Sequence, residues 1–267
     1  MTAGIPPYRV YAIKYAHTDR TRHTNFMFQD DHDGSMPMDY FVWAIVGAHS
    51  VVVVDTGFDQ HQAAQRGRQL IRRPADGLAA LGIDSTTVEH VVITHLHYDH
   101  CGGAEDFPAA TFYLQDREMR YATGRHMCKP TLSGAFDVDA VVDMVRAVYS
   151  QRVEFVDGSR ELFPGISLHH VGGHTDGMQV VRVWTQRGWL VLASDATHYY
   201  ANMTLPNPFP IVFNVGDMLS GFDTLATLSD GPDHIIPGHD PLVLEKYPPP
   251  SQELEGVVAR LDVDPFD

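Results

Sequence analysis

The sequence predicts an α/β protein built as a four-layer αββα sandwich. Strand-like segments recur in both halves of the chain, enough for two sheets. Helical stretches lie among them, and residues of metal-ligand type fall where strands give way to loops.

The elements follow in order. Segments 8–15, 40–46 and 50–54 read as strands, and Val51 to Val54 is the unbroken β-branched run of a strand buried on both faces. Asp55-Thr56-Gly57 ends it, and helical patterns follow over 60–73 and 75–81. Segments 88–94 and 111–114 are the next strands. Over 137–149, apolar residues at 138, 141, 142, 145, 148 and 149 mark one face of a helix. Segments 153–156, 166–170, 178–185 and 189–193 are strands again. The Pro-rich stretch 204–210 is a loop, because proline breaks a helix interior. A second amphipathic helix lies around 218–226, a last short strand at 234–236, and the tail from Tyr247 onward is expected on the surface. No linker or repeat interrupts the pattern, so residues 1–267 are expected to form a single domain.

Composition narrows the function. Apolar residues are 44% and charged residues 20% of 267, the balance of a globular chain. With 19 Lys and Arg against 34 Asp and Glu, the formal charge of −15 argues against nucleic acid and anionic membranes as partners. It also disfavours anionic substrates unless metals dominate locally. Two cysteines make no disulfide framework, and no basic start leads into an apolar stretch, so a cytoplasmic location is expected. Cys101 is expected as a small buried residue.

The 16 histidines are the unusual count. His95, His97, Asp99 and His100 lie within six residues, directly after a buried strand, and Gly102-Gly103 allow a tight backbone there. Imidazole and carboxylate are ligands for zinc and related divalent ions. One ion cannot easily use all four groups, since Asp99 and His100 point differently from His95 and His97. Two ions are expected, each drawing further ligands from elsewhere. His174, Asp195 and His239 are ligand types at Gly- or Pro-marked strand ends. Any one of them alone is more often a turn residue; together with the first cluster they form a ligand set.

The chain resembles the metallo-β-lactamase superfamily over nearly its whole length, and within it the N-acyl-homoserine lactonase group. The resemblance rests on VVVVDTGFD (51–59), VVITHLHYDHCGG (91–103), TFYLQDREM (111–119), GGHTDG (172–177), LASDATHY (192–199) and PGHD (237–240). It implies the metallo-β-lactamase fold with a dinuclear site, most simply two zinc ions. His95, His97 and His174 would bind one ion and Asp99, His100 and His239 the other, with Asp195 bridging. Asp55 would orient a ligand histidine. The implied reaction is attack of a metal-bridging hydroxide on a lactone carbonyl, with Asp99 as proton carrier. A homodimer is the family-based expectation.

One position departs from the group. Three residues after the bridging Asp, the group has a tyrosine; here His198 stands there, followed by Tyr199 and Tyr200. Either His198 replaces it or Tyr199 serves. Segments 26–40 and 204–215 also look unlike the group and are expected to line the pocket. The substrate is therefore an acyl-homoserine lactone or another small lactone. The alternatives are a thioester, as in glyoxalase II, and another cyclic ester or amide. Iron redox chemistry would need a Glu in the first cluster, which is not there.

Overall fold

A computed structural model describes residues 4–28, 33–48 and 50–266. The strands are β1 (Arg9–Thr18), β2 (Met38–Val46), β3 (Val51–Val54), β4 (Gln69–Leu70), β5 (His90–Val92), β6 (Thr111–Gln115), β7 (Val153–Val156), β8 (Ser159–Phe163), β9 (Ile166–His170), β10 (Gln179–Thr185), β11 (Gly188–Ser194), β12 (Ile235–Pro237) and β13 (Val258–Arg260). The α-helices are α1 (Gln60–Arg66), α2 (Pro74–Ala79), α3 (Tyr98–Cys101), α4 (Asp116–Ala122), α5 (Pro130–Ser133), α6 (Val138–Tyr149), α7 (Tyr200–Thr204), α8 (Val215–Leu228) and α9 (Leu242–Lys246).

One sheet runs β13-β1-β2-β3-β5-β6-β7 with β4 on β1, and the other runs β12-β11-β10-β9-β8. Alternation along the strands builds the layers. In β2, Phe41, Trp43 and Ile45 face Leu168, Val181, Val183 and Leu192 of the second sheet. Tyr40, Val42 and Ala44 face the other way, into the cluster that takes Leu78 of α2 and Val141 and Met144 of α6. On the far side of the second sheet, Val180, Val191 and Ala193 pack against Leu225 of α8. The expected αββα sandwich is what forms, driven by apolar burial worth about 1.5–3 kcal/mol per large side chain. Val52 and Val54 face one core and Val53 the other, as a strand buried on both faces requires.

Four expectations need correction. Helix α6 turns Ala140, Val141, Met144 and Ala147 to the core and leaves Val138, Val142 and Tyr149 of the expected face exposed, because the 140-144-147 row is apolar too and its two alanines let the helix sit close to the sheet. The helix predicted over 60–73 stops at Arg66, because Gly67 takes the left-handed conformation (φ 64°) and caps α1, after which β4 pairs with β1. The tail is not on the surface: Tyr247 and Leu261 are fully buried, and Val258–Arg260 pair with Tyr11–Ile13 as an edge strand. Strand β8 and helix α4 are additional to the sequence reading; β8 is half-exposed throughout and lacks a clean alternation. Cys101 is buried, as expected. Among the described residues, no helix is long and apolar enough to cross a membrane.

Candidate metal centre

Strand ends deliver the site. Beyond β5 the chain passes through residues 93–97 into α3. Asp55, just past β3, adopts φ 62°, and Ser194 at the end of β11 adopts φ 44°. Left-handed backbone at non-glycine residues costs on the order of 1–3 kcal/mol each, and surrounding bonds hold it. Asp55 accepts Thr94 N at 2.7 Å and Thr94 Oγ1 at 2.8 Å, and its Oδ2 lies 2.7 Å from His100 Nδ1. Thr94 Oγ1 lies 3.0 Å from Ser194 Oγ, so both sheets are tied at the cluster. Gly102 must lack a side chain: a Cβ there would sit 2.7 Å from Tyr98 O and 3.0 Å from Gly57 O.

The side chains converge as two adjoining groups. His95 Nε2 and His174 Nε2 lie 3.0 and 2.9 Å from His97 Nδ1. Asp195 Oδ2 lies 3.1 Å from His174 Nε2 and 3.8 Å from His95 Nε2. Its other oxygen, Oδ1, lies 3.0 Å from His239 Nε2 and 3.3 Å from His100 Nε2. Asp99 Oδ2 completes the second group, 3.7 Å from His100 Nε2 and 3.8 Å from His239 Nε2. All seven are buried, and Asp99, at 8%, is the most exposed. The Asp195 carboxylate thus faces one group with each oxygen.

The donor set fits cations. His174 Nδ1 lies 2.7 Å from Ile211 O, His239 Nδ1 2.8 Å from Asp39 O, and His100 Nδ1 2.7 Å from Asp55 Oδ2. Those oxygens only accept, so in each neutral ring Nδ1 carries the proton and Nε2 turns a bare lone pair inward. His100 Nε2 and Asp195 Oδ1 are buried without a hydrogen-bond partner among the described residues. Burial, reinforced by neighbouring imidazoles, holds His95 and His97 well below the usual histidine range. Burial also opposes charge on His100 and His239, but Asp195 and Asp99 outweigh it and raise both. The centre therefore calls for positive charge, which metal ions supply by displacing protons. Tetrahedral zinc with nitrogen at about 2.0–2.1 Å places adjacent ligands about 3.3 Å apart, close to the spacing of the first group.

Glu118 of α4 was not legible as a site residue. It is fully buried, and burial raises its pKa. Oε1 accepts Leu96 N at 2.9 Å; Oε2 accepts Thr175 Oγ1 at 2.7 Å and Gly177 N at 3.0 Å. One carboxylate thereby joins the loop of His95 and His97 to the loop of His174. A single Glu opening a short helix carries no ligand spacing; only its place in the 111–119 motif hinted at it.

His198 and Tyr199 part company. His198 Nε2 lies 3.1 Å from Asp195 Oδ2, and its ring stacks on Phe209 at 3.8 Å. With Asp195 and His239 it makes a third possible cation-holding group. Burial pushes its pKa down to about 3, against the pull of Asp195. Tyr199 is fully buried and its hydroxyl donates to Pro37 O at 3.3 Å, so the structure does not bring it to the cluster. The two segments expected to line the pocket touch the site through Asp39 O, Ile211 O and Phe209, while residues 29–32 of the first lie outside the described residues.

Fold and cluster together define a metal-binding αββα protein. The Metallo-beta-lactamase superfamily profile matches residues 36–239, and the chain belongs to that superfamily. N-acyl homoserine lactonase AttM of Azorhizobium caulinodans is 30% identical over 177 residues, 61% of this chain and 62% of its own. The chain spans about half to three fifths of the length of the curated relatives it matches. A solved N-acyl homoserine lactone hydrolase, with N-hexanoyl-L-homoserine at its catalytic metal center, superposes with a TM-score of 0.73 at 19% identity, covering 88% of this chain and 94% of that one. The dizinc quorum-quenching lactonase AidC superposes with a TM-score of 0.66 at 15% identity, covering 86% of each chain.

Proposed function

We propose that this chain is a dinuclear metal-dependent hydrolase that opens a lactone ring to a hydroxy acid. The carrying observation is Asp195, whose two oxygens face the two histidine groups separately. His95, His97 and His174 would hold one divalent ion and Asp99, His100 and His239 the other, with Asp195 between them. The mixed imidazole and carboxylate donors suit zinc. Ions bound there supply Lewis acidity, polarising an ester carbonyl and lowering the pKa of water to roughly 7.

The chain's own groups do the rest. Asp99, the most exposed of the seven, takes the proton given up by the attacking water and delivers it to the ring oxygen as the acyl C–O bond breaks. His198, kept neutral by burial, has a buried Nδ1 that finds no hydrogen-bond partner among the described residues and is left to hydrogen-bond the substrate, the role a phenol takes in the lactonase group. The AttM relative and the product-bound AidC neighbour support a lactone over other esters.

The test is a hydrolysis screen of lactones, thioesters and cyclic amides with metal-loaded protein. Lactones are expected to turn over fastest. Faster turnover of a thioester would replace this reading with the glyoxalase II type, and no turnover of any class would reject hydrolysis.

A further inference from the structure

A cleft of about 510 Å³ lies between α4, the turn after it and the loop of His174. Arg117, Arg120, Tyr121, Arg125, His126 and Asp176 line it. Arg117 grips Asp176 with both ends of its fork, at 2.7 and 3.3 Å. Among the described residues, Arg120 and Arg125 have no carboxylate partner.

The charge is concentrated. Of 19 Lys and Arg in the chain, Arg117, Arg120, Arg125 and Lys129 fall within 117–129. The single acid in that stretch, Glu118, is buried and committed to Leu96, Thr175 and Gly177. The cleft lining itself sets three arginines against Asp176, with Asp116 just before the stretch and Asp157 and Asp217 also acting on Arg117, so it is locally cationic in a chain whose net charge of −15 would otherwise repel an anion.

The cleft also adjoins the metal centre. The Phe136 ring lies 4.6 Å from the ring of His97 and 5.8 Å from that of Tyr121. Phe213 lies 4.7 Å from Tyr121 and 5.1 Å from His126, and its backbone N donates to His174 O at 3.1 Å. The Phe136 ring separates the Tyr121 wall of the cleft from His97, and Phe213 ties that wall to the backbone of His174.

We propose that this cleft binds an anionic group, a carboxylate or a phosphate, at the end of the substrate remote from the reacting ester. The proposal rests on the hydrolase reading above and narrows its substrate class. Guanidinium forks bind such oxyanions bidentately; among the described residues Arg125 has no carboxylate partner, and Arg120, whose Nε donates to Asp116 O at 3.5 Å, keeps its terminal nitrogens for a ligand.

Two lactones test it with metal-loaded protein: N-hexanoyl homoserine lactone, and N-adipoyl homoserine lactone, whose acyl chain ends in a carboxylate. The wild type is expected to show the lower KM for the adipoyl compound. Arg120→Ala/Arg125→Ala raises that KM about ten-fold, leaving kcat and the hexanoyl lactone unchanged. The control Arg146→Ala, on α6, changes neither. Equal effects on both lactones, or none on either, would overturn the proposal. If neither lactone is hydrolysed, the hydrolase reading fails separately and binding decides. Arginine Nε–H resonances are then followed by NMR during titration with succinate and with inorganic phosphate. Shifts that vanish in the double variant uphold the cleft, and the tighter probe names the anion. Shifts that persist unchanged, or none at all, reject it.

Discussion

Asp55 and His100 form a buried pair, Oδ2 to Nδ1 at 2.7 Å, in which the carboxylate fixes the imidazole so that Nε2 faces the cluster. Asp55 itself stands outside the groups of side chains that could hold a cation. Asp55→Ala is expected to weaken binding of one metal equivalent by about 10–100-fold, measured by competitive chelator titration. Unchanged affinity would remove Asp55 from the centre.

Glu118 satisfies three donors from two histidine-bearing loops. Glu118→Ala leaves them buried and unpaired, at about 1–3 kcal/mol each. A loss of at least about 3 kcal/mol is expected in denaturant unfolding. Glu118→Gln, which keeps the volume and one acceptor, is expected to lose less.

His198 and Tyr199 separate by kinetics. His198→Ala is expected to change KM or kcat, since its ring lies against Asp195 and Phe209. Tyr199→Phe is expected to leave both alone and cost about 0.5–1.5 kcal/mol of stability, through the lost bond to Pro37 O. The reverse pattern would show that the loop works differently.

Leu261 is fully buried beyond β13, and its backbone N donates to Val10 O at 2.8 Å. Leu261→Ala is expected to cost about 2–5 kcal/mol in thermal or denaturant unfolding. A change under about 0.5 kcal/mol would return the tail to the surface.

The sandwich was legible because its signals are local. Val51 to Val54 announces a doubly buried strand and 138–149 a helix, and both form where expected, but the helix buries Ala140, Val141, Met144 and Ala147 and leaves Val138, Val142 and Tyr149 of the expected face exposed. The site residues were legible because their types cluster at strand ends, and the structure brings all seven together. What stayed hidden depends on tertiary context. The 60–73 helix ends where Gly67 turns left-handed and β4 finds β1. The tail segment 258–260 is too short to signal a strand until β1 offers an edge. Glu118 matters only through loops distant in sequence. The choice between His198 and Tyr199 is made by the direction of each side chain, which residue order does not encode.

Elemental analysis of the purified chain after reconstitution with zinc and removal of excess metal bears most directly on the dinuclear centre. Two divalent ions per chain are expected, falling to one or fewer in Asp195→Ala. No more than trace metal in the wild type, or full loading retained without Asp195, would contradict it.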